Sequence, residues 1–313
     1  MVCTVSTPLL IDTDPGNDDA VLIALALASD EFDVIGLTTV AGNETIGNTT
    51  RNARSVLELL DRTDVPVAEG CGRPLVDEPN TADVHGPGGL YGAVPEPGVE
   101  PIEDHAVRFV LDQVRRYGDE LRLLAVGPLT NVALALAIEP ELPEMIDGIH
   151  VMGGAATTTG NVTPAAEFNF HHDPAAASRV VQDGTPSVVG LDVTDRATVP
   201  AGEIEELARG DEPGRSIACW LAYASHDELL AGLDESRDRF SVHDAVVIAD
   251  LLGDVLTFED YYLEIDTSGG PSHGSVVCDT RGVTGRDPNA TVAVEIDTEE
   301  FRSVLFDTLD ELV

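Results

Sequence analysis

The run Asp12-Thr13-Asp14-Pro15-Gly16-Asn17-Asp18-Asp19-Ala20 packs four carboxylates into eight positions of one tight turn. Leu9-Leu10-Ile11 ahead of it reads as a buried strand, and Val21 to Ala28 behind it reads as a buried helix. The fold must therefore carry a strand-to-helix turn beside its core and still accommodate four like charges. Such charges repel one another and lose hydration, so they need protons or a cation to neutralise them. Hard oxygen ligands suit Ca²⁺ or Mg²⁺, and Ca²⁺, with roughly 6–8 oxygens, fits a crowded carboxylate turn better. The alternative is that Asp18 or Asp19 caps the helix and the rest are solvated, which accounts for one or two of the four. A helix–loop–helix calcium loop does not fit, because Pro15 follows the third position and Ile23 stands at the twelfth.

Strand and helix patterns alternate beyond this turn. Strands are expected at Phe32 to Val40, Leu121 to Val126, Gly148 to Met152 and Ser187 to Val193. Helices are expected around Thr49 to Asp61, Glu103 to Tyr117, Asn131 to Ile138 and Pro174 to Asp183, the last with Asp173 at its cap. This alternation predicts an α/β fold: a mostly parallel, Rossmann-like open sheet with helices on both faces, and ligands at the carboxyl ends of its strands. No repeat or linker divides residues 1–313, so one domain is expected. The Gly/Pro-rich stretch Asp83 to Pro101 reads as a mobile loop, and about 201–241 as a small helical insertion over the pocket, with Ser225 to Phe240 as a candidate lid.

The charge balance is extreme: 57 acidic residues against 17 basic ones, all Arg and no Lys, give a net charge of −40. The acid is spread along the whole chain rather than gathered into a tail, which points to a salt-accumulating, halophilic cytoplasm where concentrated ions screen the self-repulsion. No basic patch exists to meet phosphates, so nucleic acid is not an expected partner. No apolar stretch reaches the roughly 18 residues that span a bilayer, and the first residues lack a signal-peptide pattern, so a cytoplasmic protein without a membrane partner is expected. Cys3, Cys71, Cys219 and Cys278 lack metal-ligand spacing and read as buried free thiols.

Polar clusters follow the strands or lie in loops that can reach the same edge. Val40-Ala41-Gly42-Asn43 offers a carboxamide or a turn asparagine. Gly127-Pro128-Leu129-Thr130-Asn131 exposes backbone carbonyls, or else Thr130 caps the next helix. Gly160-Asn161 and Glu167-Phe168-Asn169 supply a carboxylate and two carboxamides, groups that recognise vicinal hydroxyls. Val242-His243-Asp244 offers a possible proton donor and either a metal ligand or a helix cap.

Together these pieces resemble the inosine-uridine preferring nucleoside hydrolases. His85-Gly86, Val151-Met152-Gly153-Gly154, Asp173-Pro174, Thr280-Arg281-Gly282-Val283-Thr284 and Pro288-Asn289 complete the ordered set of motifs, from residue 12 to residue 289. The resemblance implies Ca²⁺-dependent hydrolysis of ribonucleosides to base and ribose, in nucleoside salvage, by a homodimer or homotetramer. It implies calcium held by Asp14, Asp19, Asp244 and the carbonyl of Thr130, with Asp12 in support. Asp18, Asn43, Asn161, Glu167 and Asn169 would hold the sugar, Met152 would lie against it and His85 would face the base. Asp14 would take a proton from water, and His243 would protonate the leaving base. The family's prolines around His-Asp are replaced here by Val242 and Ala245. For the base pocket Trp220, Tyr223 and His226 are candidates, although an aromatic at Trp220's position is equally a core residue. Two rivals remain: a haloacid-dehalogenase-type phosphatase, which would need a downstream Lys the chain lacks, and an inactive nucleoside-binding relative.

Overall fold

A computed structural model of the chain describes residues 6–82, 84–232 and 238–312. Its centre is an eight-stranded sheet of β1 (Thr7–Thr13), β2 (Phe32–Thr39), β3 (Val67–Glu69), β4 (Arg122–Ala125), β5 (Gly148–Met152), β6 (Ser187–Val189), β7 (Leu256–Tyr261) and β8 (Ala290–Ile296). The spatial order is β3-β2-β1-β4-β5-β6-β8-β7. All neighbours pair in parallel except β7, which runs antiparallel to β8 at one edge.

Helices α1 (Asn17–Ala28), α2 (Ile46–Leu59), α3 (Ala106–Tyr117), α4 (Thr130–Ile138), α5 (Pro174–Asp183), α6 (Ala201–Ala208), α7 (Gly214–Ala222), α8 (Ala245–Gly253) and α9 (Thr298–Leu309) cover the sheet. Alternation along β1 separates two cores. Leu9 and Ile11 pack with residues of α1, α2, α7, α8 and α9, whereas Leu10 packs on the opposite face with residues of α3, α4 and α5. Helix α1 is apolar nearly all round because it lies between the sheet and a second tier of helices; Val21 to Ala26 are completely buried. No helix among the described residues is long and apolar enough to cross a membrane.

The mostly parallel α/β architecture agrees with the sequence reading, with shifts at element ends. The expected strand from Ser187 stops at Val189, and Leu191–Thr194 forms a helical turn instead. Apolar composition alone does not distinguish a buried strand from a buried turn of helix. Within 201–241 the described residues form the helices Ala201–Ala208, Gly214–Ala222 and His226–Ala231, bracketed by an antiparallel pair, Thr198–Pro200 with Arg239–Ser241. Helix α7 packs into the α1-side core, to which Ile217 to Ala222 belong, and none of its residues lines the cavity described below. The candidate lid lies partly outside the described residues, at 233–237. Cys3 also lies outside them. Cys71, Cys219 and Cys278 are free thiols, but only Cys219 is fully buried.

Candidate active site

Strand β1 delivers the acidic turn to the carboxyl edge of the sheet, beside the ends of β2 and β4. Asp12 sits in register with Thr38 and Ala125, and its Oδ1 accepts from Thr38 Oγ1 at 2.5 Å and Asn131 Nδ2 at 2.8 Å. Burial still drives its pKa up to about 7, against the lowering effect of those two bonds.

Asp14 is 1% exposed and wedged between two glycines. A Cβ on Gly42 would come within 2.1 Å of its Oδ2, and one on Gly127 within 2.6 Å of its Oδ1. Its Oδ2 accepts Asn43 N at 2.6 Å, while the buried Oδ1 has no hydrogen-bond partner. Burial, then the charge of Asp19, raises its pKa well above the ordinary carboxylate range.

Asp19 does act at the helix start, since Gly16 N donates to its Oδ2 at 2.9 Å. It also accepts from Thr13 Oγ1, from Asp14 N at 3.2 Å and from Asn43 Nδ2 at 3.1 Å. Capping therefore accounts for one bond of a carboxylate embedded in a network, and burial and Asp18 still raise its pKa. Asp244 stands at the start of α8, yet its side chain caps nothing. Instead, one oxygen from each of Asp18, Asp19 and Asp244 lies within 4.8 Å of the other two. Asp244 is raised well above its usual range by burial, then by Asp18, Asp19, Asp14 and Glu167. Among the described residues no Arg is paired with any of these aspartates. The substitutions Val242 and Ala245 leave this arrangement in place, with Val242 N bonded to Ala197 O at 3.0 Å.

The donor set suits a hard divalent cation. Asp14 Oδ1 and Asp18 Oδ1 are buried oxygens without hydrogen-bond partners, and His85 Nδ1 lies 4.0 Å from Asp18 Oδ1. The geometric triad contains Asp18 in place of the expected Asp14. Thr130 is the first residue of α4 rather than its cap, and its hydroxyl donates to Asp173 Oδ2 at 2.7 Å. Neither Thr130 nor Asp14 lines the cavity.

Above the cluster opens a cavity of about 790 Å³. Asp18, Asn43, His85, Met152, Asn161, Glu167, Asn169, His243 and Asp244 all line it, so residues spread over more than two hundred positions converge there. Asn169 Nδ2 donates to Val126 O at 2.8 Å and Met152 O at 3.3 Å, which turns its carbonyl oxygen away from them. Glu167 caps the Phe168–His172 helix, accepting from Asn169 N, Phe170 N and Gly154 N; burial raises its pKa despite those donors. His243 Nδ1 is bonded to Thr194 Oγ1 at 2.9 Å.

Of the base-pocket candidates, only Tyr223 lines the cavity, 5.5 Å from the His85 ring. Trp220 is 0% exposed and donates Nε1–H to Tyr91 O at 2.9 Å, so it is a core residue that anchors a loop. His226 binds Ala208 O instead. Sequence reading missed Asn17, which holds the His85 loop: Asn17 N donates to His85 Nδ1 at 3.1 Å, and its side chain bonds His85 O and Tyr91 N. It lay inside the acidic motif but carried no charge to draw notice. Asn80, Thr81 and Arg239 also line the cavity, from segments with no periodic signal. The stretch expected to be mobile is thus tethered from residue 85 to 91; Asp83 lies outside the described residues.

Comparison with known proteins gives the family. The family described as inosine-uridine preferring nucleoside hydrolase matches residues 9–303. The pyrimidine-specific ribonucleoside hydrolase RihA of Escherichia coli O9:H4 (strain HS) is 42% identical over 309 residues, covering 96% of this chain and 98% of that protein. A solved purine-preferring ribonucleoside hydrolase from Gardnerella vaginalis superposes with a TM-score of 0.88 at 27% identity, over 97% of this chain and 98% of that one. A plant nucleoside hydrolase, the PpNRh1 enzyme, gives a TM-score of 0.87 at 30% identity, over 97% of this chain and 99% of that one. The chain belongs to the inosine-uridine preferring nucleoside hydrolase family and is a ribonucleoside hydrolase, an enzyme acting on N-glycosyl bonds.

Proposed function

We propose that the enzyme hydrolyses pyrimidine ribonucleosides in preference to purine ones, with Ca²⁺ in the acidic turn, in a salt-rich cytoplasm. The observation that carries the metal reading is the group of buried carboxylates Asp18, Asp19 and Asp244, with no Arg paired to them among the described residues, beside a cavity whose lining includes Asn43, Asn161, Asn169, Glu167 and His243. The pyrimidine preference is supported by relatives: those named pyrimidine-specific are 41–42% identical, whereas the purine-preferring enzyme is 27% identical.

Asp14, Asp18, Asp19 and Asp244 would hold the ion with the carbonyl of Thr130, and a Ca²⁺ bound there would supply charge that acidifies water and favours a vicinal diol. Asp14 Oδ1, left without a hydrogen bond, accepts the proton of the attacking water. Asp18, Asn43, Asn161, Glu167 and Asn169 orient the ribose, with Met152 against its face. Their oxygens favour the positive charge that develops as the glycosidic bond lengthens. His85 faces the base, and His243 protonates it as it leaves, a step worth typically about 10²–10⁴-fold.

Release of free ribose from uridine, cytidine, inosine and guanosine, scored by kcat/KM in high salt, tests the reading. Pyrimidine nucleosides should lead. His243→Ala should cost far more on uridine than on a riboside with an activated leaving group, and Asp14→Asn should abolish turnover on both. No ribose release from any nucleoside would refute the activity; equal rates before and after exhaustive chelation would refute the metal.

A further inference from the structure

We propose that Thr194 is a positioning residue for His243, fixing the ring so that Nε2 faces the cavity; this rests on the proposed role of His243 as proton donor. The ring lines the cavity while its Nδ1 lies 2.9 Å from Thr194 Oγ1. Thr194 is 0% exposed, and His243 is the one partner its hydroxyl has among the described residues. A buried hydroxyl with a single side-chain partner, on a β-branched residue whose χ1 is restricted, holds a ring in one orientation.

The support is rigid. Thr194 ends the Leu191–Thr194 turn, in which Thr194 N donates to Gly190 O at 3.1 Å and Leu191 N donates to Gly154 O at 3.0 Å. Asp192 in the same turn accepts Ala156 N and Thr157 N at 2.8 and 2.7 Å, tying the turn to the loop that leads to Asn161. The backbone of His243 is anchored from the same segment, since its neighbour Val242 donates N–H to Ala197 O. Both ring and main chain of His243 are therefore set by residues 194–197.

In the reaction the protonated imidazole donates Nδ1–H to Thr194 Oγ1 and passes the Nε2 proton to the departing base. The C1′–N electron pair leaves with the base, water adds at C1′, and the Nδ1 proton stays where Thr194 holds it. Thr194 does not touch the reacting atoms; it decides which nitrogen meets them.

The experiment compares Thr194→Val, an isostere lacking the hydroxyl, with Thr194→Ser, which keeps it, on uridine and on p-nitrophenyl riboside. Thr194→Val should lose kcat on uridine by roughly 10–100-fold with KM within about twofold, and change the nitrophenyl substrate by less than about threefold. Thr194→Ser should restore most of the uridine rate. Thr194→Ala serves as a second test with the same expected split if the valine variant does not fold. A loss shared equally by both substrates, no loss on uridine, or no recovery with serine would overturn the proposal. If His243→Ala is selective for uridine while Thr194→Val is not, the donor reading stands and only the part given to Thr194 falls. Equal losses for His243→Ala on both substrates would remove both.

Discussion

Asp14 shows how much a single side chain can demand of distant sequence. Its two oxygens occupy the space that side chains on Gly42 and Gly127 would fill. Those glycines belong to separate motifs at the ends of different strands, and each is required by one carboxylate. Gly42→Ala should therefore push the Asp14 carboxylate aside while leaving most of the fold intact. We expect kcat/KM to fall on the order of 10²-fold, as misplacement of a reacting group by about 1 Å can do, with an unchanged circular dichroism spectrum. Asn17 acts less directly, through four hydrogen bonds to the loop that carries His85. Asn17→Ala removes its three side-chain bonds and should raise KM roughly tenfold, about 1.4 kcal/mol, with a smaller effect on kcat. The acidic residues of the site were legible in the sequence because four of them stand together where solvation is lost. Asn17 and Thr194 were not, because an uncharged side chain reveals its role only when its partner, far away in the chain, is seen beside it.

At the level of elements, the strong signals were local and the weak ones depended on neighbours. Asp173 and Pro174 start α5 as expected, with Asp173 accepting Ala176 N, because capping is decided within a few residues. The edge strand β7 and its antiparallel pairing to β8 went unread, since partner and direction are set by the whole sheet. Strand β5 also places a histidine where proton binding is costly. Burial, then the nearby Arg122 charge, lowers the His150 pKa from 6.5 to about 4. Between those values the unfolded chain binds more protons than the folded one, so stability is full above 6.5 and drains as pH falls towards 4. The loss attributable to His150 is at most about 3 kcal/mol. His172, 1% exposed and lowered to about 4 chiefly by burial, adds to it in the same direction. His150→Gln should flatten the acid limb of the stability curve by up to that amount, as measured by chemical denaturation at pH 4.5 and 7. An acid limb identical to that of the parent protein would show that His150 is not the sensor.

Across the whole molecule, the acidic turn and the acidic surface are one electrostatic problem met at two depths. Inside, Asp14, Asp19 and Asp244 resist ionisation together, so a bound divalent ion should stabilise the fold as well as the reaction. A ligand present at 100 times its Kd adds about 2.7 kcal/mol, so chelation should lower the melting temperature by several degrees and Ca²⁺ should restore it. Outside, a net charge of −40 acts over a screening length of about 10 Å at 0.1 M salt and about 3 Å at 1 M. Arg side chains offset few of the 57 acids, and their ion pairs, such as Arg108 with Asp104 and Asp112, are exposed and individually weak. Repulsion among the rest must then be relieved by the solution. Melting temperature in KCl, with calcium held saturating, should climb steeply from 0.1 to about 1 M as the screening length shrinks below the spacing of surface charges, and more slowly thereafter. Holding calcium fixed separates the two depths, because monovalent salt screens exposed carboxylates far more than buried ones. A melting temperature that is flat or falls over that range would mean that the dispersed acid does not govern stability, and the salt-rich setting inferred from it would lose its support.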